Sequence, residues 1–128
     1  MKNKIEMKFL ILYLTLMVVG LLCTLGRWYS YFNPEFIFIH SFINDHISNL
    51  SISMMLFLII GTMWLLLDVK FKVIKVVGII IISINIIYET LISFLNTPDF
   101  MDALFGICGV IIAYGYLYTL DKKGLIRE

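Results

Sequence analysis

Three carboxylates, Glu89, Asp99 and Asp102, sit between two runs without charge, Val76 to Tyr88 and Ala103 to Leu120. A carboxylate in so apolar a stretch can exchange protons, hold a polar ligand, or hydrogen-bond a neighbouring helix. The three are not equivalent. Asp99 follows Pro98 in a turn sequence and reads as a loop residue. Asp102 stands immediately before an apolar run. Glu89 lies about two turns inside one; an acid at a span's centre costs on the order of 2.5–3.5 kcal/mol, and less near an interface. Ionisable residues so placed face a cavity or a partner, and mark a candidate site.

Four-residue spacing puts further polar or small residues on the same helix faces. One stripe is Asp45, Asn49 and Ser53, and a second is Asn85, Glu89 and Ser93. The third is Asp102, Gly106, Gly109 and Ala113. All three run to the same side of their segments. The candidate ligand-binding residues are therefore Glu89, Asp102, Asp45, Asn49 and Asn85, with Asn85 one turn from Glu89 and suited to hydrogen-bond it. Gly106, Gly109 and Ala113 make a small-residue face that lets helix backbones approach closely. His46, beside Asp45, could serve as base or metal ligand, but one histidine among scattered acids is a poor ligand set. Cys23 and Cys108 are isolated within apolar runs. That excludes Cys-x-x-Cys redox and paired-cysteine zinc chemistry and leaves them as packing residues. No metal and no cofactor is called for.

The elements that position these residues must be helices in lipid. Of 128 residues, 61% are hydrophobic and only 15% charged, whereas soluble domains run at about 45–50% and about 25%. A soluble chain this short has too little interior for so many large apolar side chains. Four stretches reach the roughly 20 residues that cross the hydrocarbon: 9–26, 50–67, 76–95 and 103–120. The first is too long for a signal-peptide core, and Leu22 before Cys23 does not fit a lipoprotein cleavage site, so it reads as a retained span. The fold class is an all-α membrane protein, a four-transmembrane-helix bundle forming a single domain over 1–128.

Orientation follows from the basic residues. Lys2, Lys4, Lys8, Lys70, Lys72, Lys75, Lys122, Lys123 and Arg127 fall on one side of the four spans and Arg27 alone on the other. The basic side is cytoplasmic by the positive-inside rule, which puts both termini inside. A net charge of +1 offers nothing to nucleic acid. The first outer loop, 27–44, carries Trp28, Tyr29 and Tyr31 as an interfacial belt. Asn33-Pro34-Glu35 then reads as the start of a short interfacial helix, with Asn as N-cap and Pro at the first helical position. Short connections at 68–75 and 96–101 make spans two and three, and spans three and four, antiparallel neighbours.

The order of these motifs resembles the VanZ-like family of small bacterial membrane proteins. That family has an Asp at the head of one span with a His four residues on, then a Glu followed after three residues by Gln near the end of the next. Its last span opens with Asp, with Asn, Gly and Gly at four, seven and eleven residues beyond. Asp45, Glu89, Asp102 and Gly109 fit this pattern. Asn49 replaces the His, Ile92 the Gln, Gly106 the Asn and Ala113 the last Gly, and the arginine common in the loop is missing. The match covers roughly residues 40 to 120 and marks a divergent relative. The resemblance implies a multi-pass protein of the bacterial cytoplasmic membrane with a cell-envelope role of the glycopeptide-tolerance type. On that reading an outward acidic cavity engages a polar lipid-linked or cell-wall ligand, with the bilayer as the constant partner and room for a homo-oligomer.

Two other classes compete. A purely structural or partner-binding membrane subunit would need the small faces only for packing. An intramembrane acid-base enzyme acting on an envelope lipid would need the carboxylates tuned toward neutrality, yet no nucleophile–base or phosphate-cradling pattern is present. Whether the chain is an enzyme stays open at this point. A small exporter is disfavoured because the first span, Phe9 to Gly26, carries no charge.

Overall fold

In a computed structural model the protein is described over residues 3–33, 35, 41–92 and 100–127, side chains excepted at 41–45, 90, 92, 100 and 127. It is a helical bundle. A short strand β1 (Asn3–Ile5) leads into α1 (Met7–Phe32), followed by α2 (Ser41–Leu66), α3 (Phe71–Ile92) and α4 (Phe100–Thr119). A π-helical turn, Leu120–Gly124, then feeds β2 (Leu125–Arg127). All four long helices are long and apolar enough to cross a membrane, and the chain is a multi-pass membrane protein. Their outward faces are rich in large apolar side chains such as Val18, Leu22, Ile79, Ile84 and Ile111, which is what lipid as solvent demands.

All four helices begin before the apolar windows read from the sequence. α1 continues through the aromatic segment to Phe32, because nothing in Arg27 to Phe32 breaks a helix. Asn33 closes it: its backbone leaves the helical region (φ −130°, ψ 86°) while its N–H still reaches Tyr29 O. A proline next in the chain disfavours helical geometry at the residue before it. Asn33, expected to open a following helix, is thus the C-cap of α1. The short interfacial helix expected to start at Asn33-Pro34-Glu35 falls mostly on residues 34 and 36–40, outside the described residues, as does the turn at Pro98 and Asp99.

The packing order also differs from the chain order. α2 and α4 are the buried pair, with 44% of each span inside the bundle against 22% for α1 and 17% for α3. These two helices run parallel. His46 meets Asp102 and Gly61 meets Leu117, both pairs 56 residues apart in sequence, so the register holds along the seam. Small residues make it close: a Cβ on Gly109 would strike the Leu50 carbonyl oxygen, and one on Gly61 would strike Leu117. Ala113 is fully buried. α3 contributes less to the interior: Ile74, Gly78 against the Phe57 ring, Ile81 and Asn85 face inward, while Ile79, Ile80, Ile84, Ile86 and Ile87 are exposed. α1 packs on α2 through Gly20 against Met54 and Met55, and through a buried hydroxyl pair, Thr24 and Ser51, 2.7 Å apart.

At one end of the bundle the two strands pair antiparallel, Asn3 opposite Arg127 and Ile5 opposite Leu125. The Glu6 N–H donates to Gly124 O (2.8 Å) and Tyr116 donates to Phe9 O (2.9 Å). Asn3, buried, donates to Leu65 O at 2.8 Å and to Asp68 Oδ1 at 3.4 Å. Asp68 itself is left-handed (φ 64°); its N–H reaches Leu65 O and that of Val69 reaches Trp64 O, the paired bonds of a Schellman helix end. One amide therefore ties the first strand to the α2–α3 turn. Asn3→Ala should cost about 0.5–1.5 kcal/mol by removing this tie, since Leu65 O keeps the Asp68 N–H, and should appear as faster amide exchange at residues 125–127 with exchange in α4 unchanged.

Candidate functional site

The polar residues gather at the end of the bundle opposite the strands. α2 begins well before its apolar run, which brings His46 inside the first turns of a helix rather than into a loop. His46 is buried, its Nδ1 lies 2.5 Å from Asp102 Oδ1, and its ring packs on Phe105 at 5.4 Å between centroids. A carboxylate in its ionised form can only accept, so for that form of the pair Nδ1 is the donor. With Nδ1 as donor, a neutral imidazole keeps Nε2 as its acceptor. The pair joins the two parallel helices at the head of their seam.

One turn deeper, α3 enters. Asn85 Nδ2 donates to Ser53 Oγ at 3.3 Å and to Ile81 O at 3.0 Å. Its side chain fills the space that glycine leaves on α4, since a Cβ on Gly106 would collide with the Asn85 amide. This contact sets the register of the antiparallel α3–α4 pair. Glu89 lies one turn beyond Asn85, and Asp102 one turn before Gly106, so both acids stand about 6 Å further along their helices at a common level. Glu89 is half-buried there.

Of the residues singled out from sequence, Asp102, Asn85 and Gly106 are drawn together, with Glu89 at the same level. Gly109 and Ala113 line the α2 contact. Asn49 is half-buried on α2, one turn along from His46. Asp45 has its backbone in α2, but its side chain is outside the described residues, as is Ser93. Asn85 was expected to serve Glu89; both its N–H groups instead go to Ser53 and Ile81 O. Ser53 enters the network as an acceptor, a role its place in the first stripe hinted at. His46 is the residue that the spacing arguments undervalued, because it stands one position off the Asp45–Asn49–Ser53 stripe. The signal was there in another form: a histidine and an aspartate each near the head of an apolar run.

Chemically, the arrangement is a histidine–carboxylate pair, a neutral amide–hydroxyl pair and a second acid, set on three helices where apolar walls take over. It can hold a polar group by hydrogen bonds to both donor and acceptor partners, and it can move a proton through the imidazole. No family model matches the chain, and neither does any curated protein or solved structure.

Proposed function

We propose that the protein is a divergent VanZ-like integral membrane protein of the bacterial cell envelope, whose acidic end engages a polar lipid-linked or cell-wall ligand. The observation that carries this reading is the His46–Asp102 contact, which seats an acid on the seam of the two most buried helices. A purely packing role has no need of an ionisable pair there, because glycine and alanine further along already close the helices. Support for the orientation comes from the strand end, where Lys4, Lys8, Lys70, Lys72, Lys75, Lys122 and Lys123 all lie on or beside elements of one end of the bundle. Under the positive-inside rule this end is cytoplasmic, both termini are inside, and the acids face outward.

The test is genetic. Glu89→Gln combined with Asp102→Asn should leave membrane expression intact and abolish any glycopeptide-tolerance phenotype that the wild-type chain confers. Full retention of the phenotype would overturn the reading. The same pair favours a second function, an intramembrane acid-base enzyme on an envelope lipid, with His46 as base and Asp102 as the residue that orients it. Turnover of a lipid in an envelope-lipid panel, lost in His46→Gln, separates catalysis from binding.

A further inference from the structure

Arg27 is the one basic residue on the side of the bundle away from the lysines. It lies in the last turns of α1, half-buried. A guanidinium has five N–H donors in a planar fork. Here its contact is a long one, 3.5 Å from Nη1 to Ser30 Oγ, and the Ser30 proton is itself directed to Arg27 O at 3.0 Å. No carboxylate pairs with the guanidinium among the described residues. It opens instead on a pocket of about 490 Å³ lined by Arg27, Trp28, Tyr31, Phe32 and, from α2, Ser48. Ser48 lies on the α1 side of α2, so this pocket and the His46–Asp102 contact are on different flanks of that helix.

We infer that this pocket is a binding site for a phosphate-bearing anion with an apolar tail, held by Arg27 and Ser48 and walled by Trp28, Tyr31 and Phe32. Each part of that ligand has its counterpart. A guanidinium is the side chain whose fork matches phosphate oxygens, and charge-assisted bonds to it are about twice as strong as neutral ones. Ser48 supplies a hydroxyl-bearing side chain to the lining of the same pocket. The three aromatic residues, all largely exposed and with Tyr31 and Phe32 edge to face at 5.3 Å, give an apolar wall at the depth where chain and headgroup meet. The pocket has the volume of a small-ligand site. An arginine that merely snorkelled to the interface would need neither the pocket nor the serine. The site stands on its own geometry and does not depend on the role of the acids.

The lysines at the other end also attract anionic lipid, so the test must report locally. The chain has two tryptophans, Trp28 and Trp64, and Trp64→Phe leaves Trp28 as the sole emitter inside the pocket. In vesicles, brominated phosphatidylglycerol should quench Trp28 at about tenfold lower mole fraction than brominated phosphatidylcholine, the scale of one charge-assisted contact. Arg27→Gln should bring the two lipids together, Arg27→Lys should restore part of the preference, and Ser48→Leu should remove it by filling the pocket without altering charge. Loss of the preference on adding inorganic pyrophosphate would assign the site to a soluble anion; persistence would assign it to the lipid headgroup. Equal quenching by both lipids in the Trp64→Phe protein, or an unchanged preference in both Arg27→Gln and Ser48→Leu, would overturn the inference.

Discussion

Gly109→Ala should destabilise the bundle while Gly115→Ala, less than two turns away on the same helix, should leave it unchanged or slightly more stable. Both exchanges add one methyl group to α4 and both gain helix propensity, worth about 0.5–1 kcal/mol. They differ in what the methyl meets. At Gly109 it meets the Leu50 carbonyl and, at 3.1 Å, the Met54 nitrogen, both backbone atoms of α2, which cannot yield without moving the helix. At Gly115 nothing lies within 4 Å. Overpacking of this kind costs about 1–3 kcal/mol, and more where only backbone can give way. Midpoints of thermal unfolding in detergent should therefore move in opposite directions, and a common shift for both would show that α4 does not rest on α2 at Gly109.

A double-mutant cycle at the head of the same seam should give the second large effect. Asp102→Asn and His46→Ala each remove one member of a contact in which the histidine is buried and the acid mostly so. Each alone should cost about 1–3 kcal/mol, because the partner keeps its desolvation penalty without its bond. Made together they should cost much less than the sum, with a coupling energy of about 1–3 kcal/mol. Additive losses would mean that the two groups do not depend on each other. His46→Gln serves as the companion variant, since it keeps a donor and should recover part of the stability that alanine loses.

Comparison of these residues with the sequence shows where legibility ends. Four spans were readable because lipid imposes one simple requirement, a long apolar run, and all four runs meet it. The glycine and alanine positions on α4 were readable as a face, since spacing alone places them there. Which helix they would touch was not. Asp102, Gly106 and Gly109 share one stripe, yet they meet His46 on α2, Asn85 on α3 and Leu50 on α2 respectively. Periodicity marks a surface and says nothing of its partner. Short connections marked spans two and three, and three and four, as neighbours, and they do touch, but nothing in them pointed to α2 with α4 as the most buried pair. The strands escaped notice for a different reason. Asn-Lys-Ile and Leu-Ile-Arg are each three residues long, too short to show alternation, and are defined only by each other.

The parallel register of α2 and α4 also bears on the order in which the molecule is assembled. Helices that enter the bilayer one after another can pair with the previous one at once, as an antiparallel hairpin. α2 cannot complete its main interface that way. His46, Ser53 and Gly61 must remain without their α4 or α3 complements until α3 has crossed and turned the chain back. During that interval the α2 face is open to any helix offering a matching run of small residues, including α4 of a second copy. Non-local pairing of this sort is slow to form and is the point at which exchange between chains begins. The substitution most apt to produce swapped dimers is accordingly one that delays α3, such as a change at Asn85, rather than one within the seam itself.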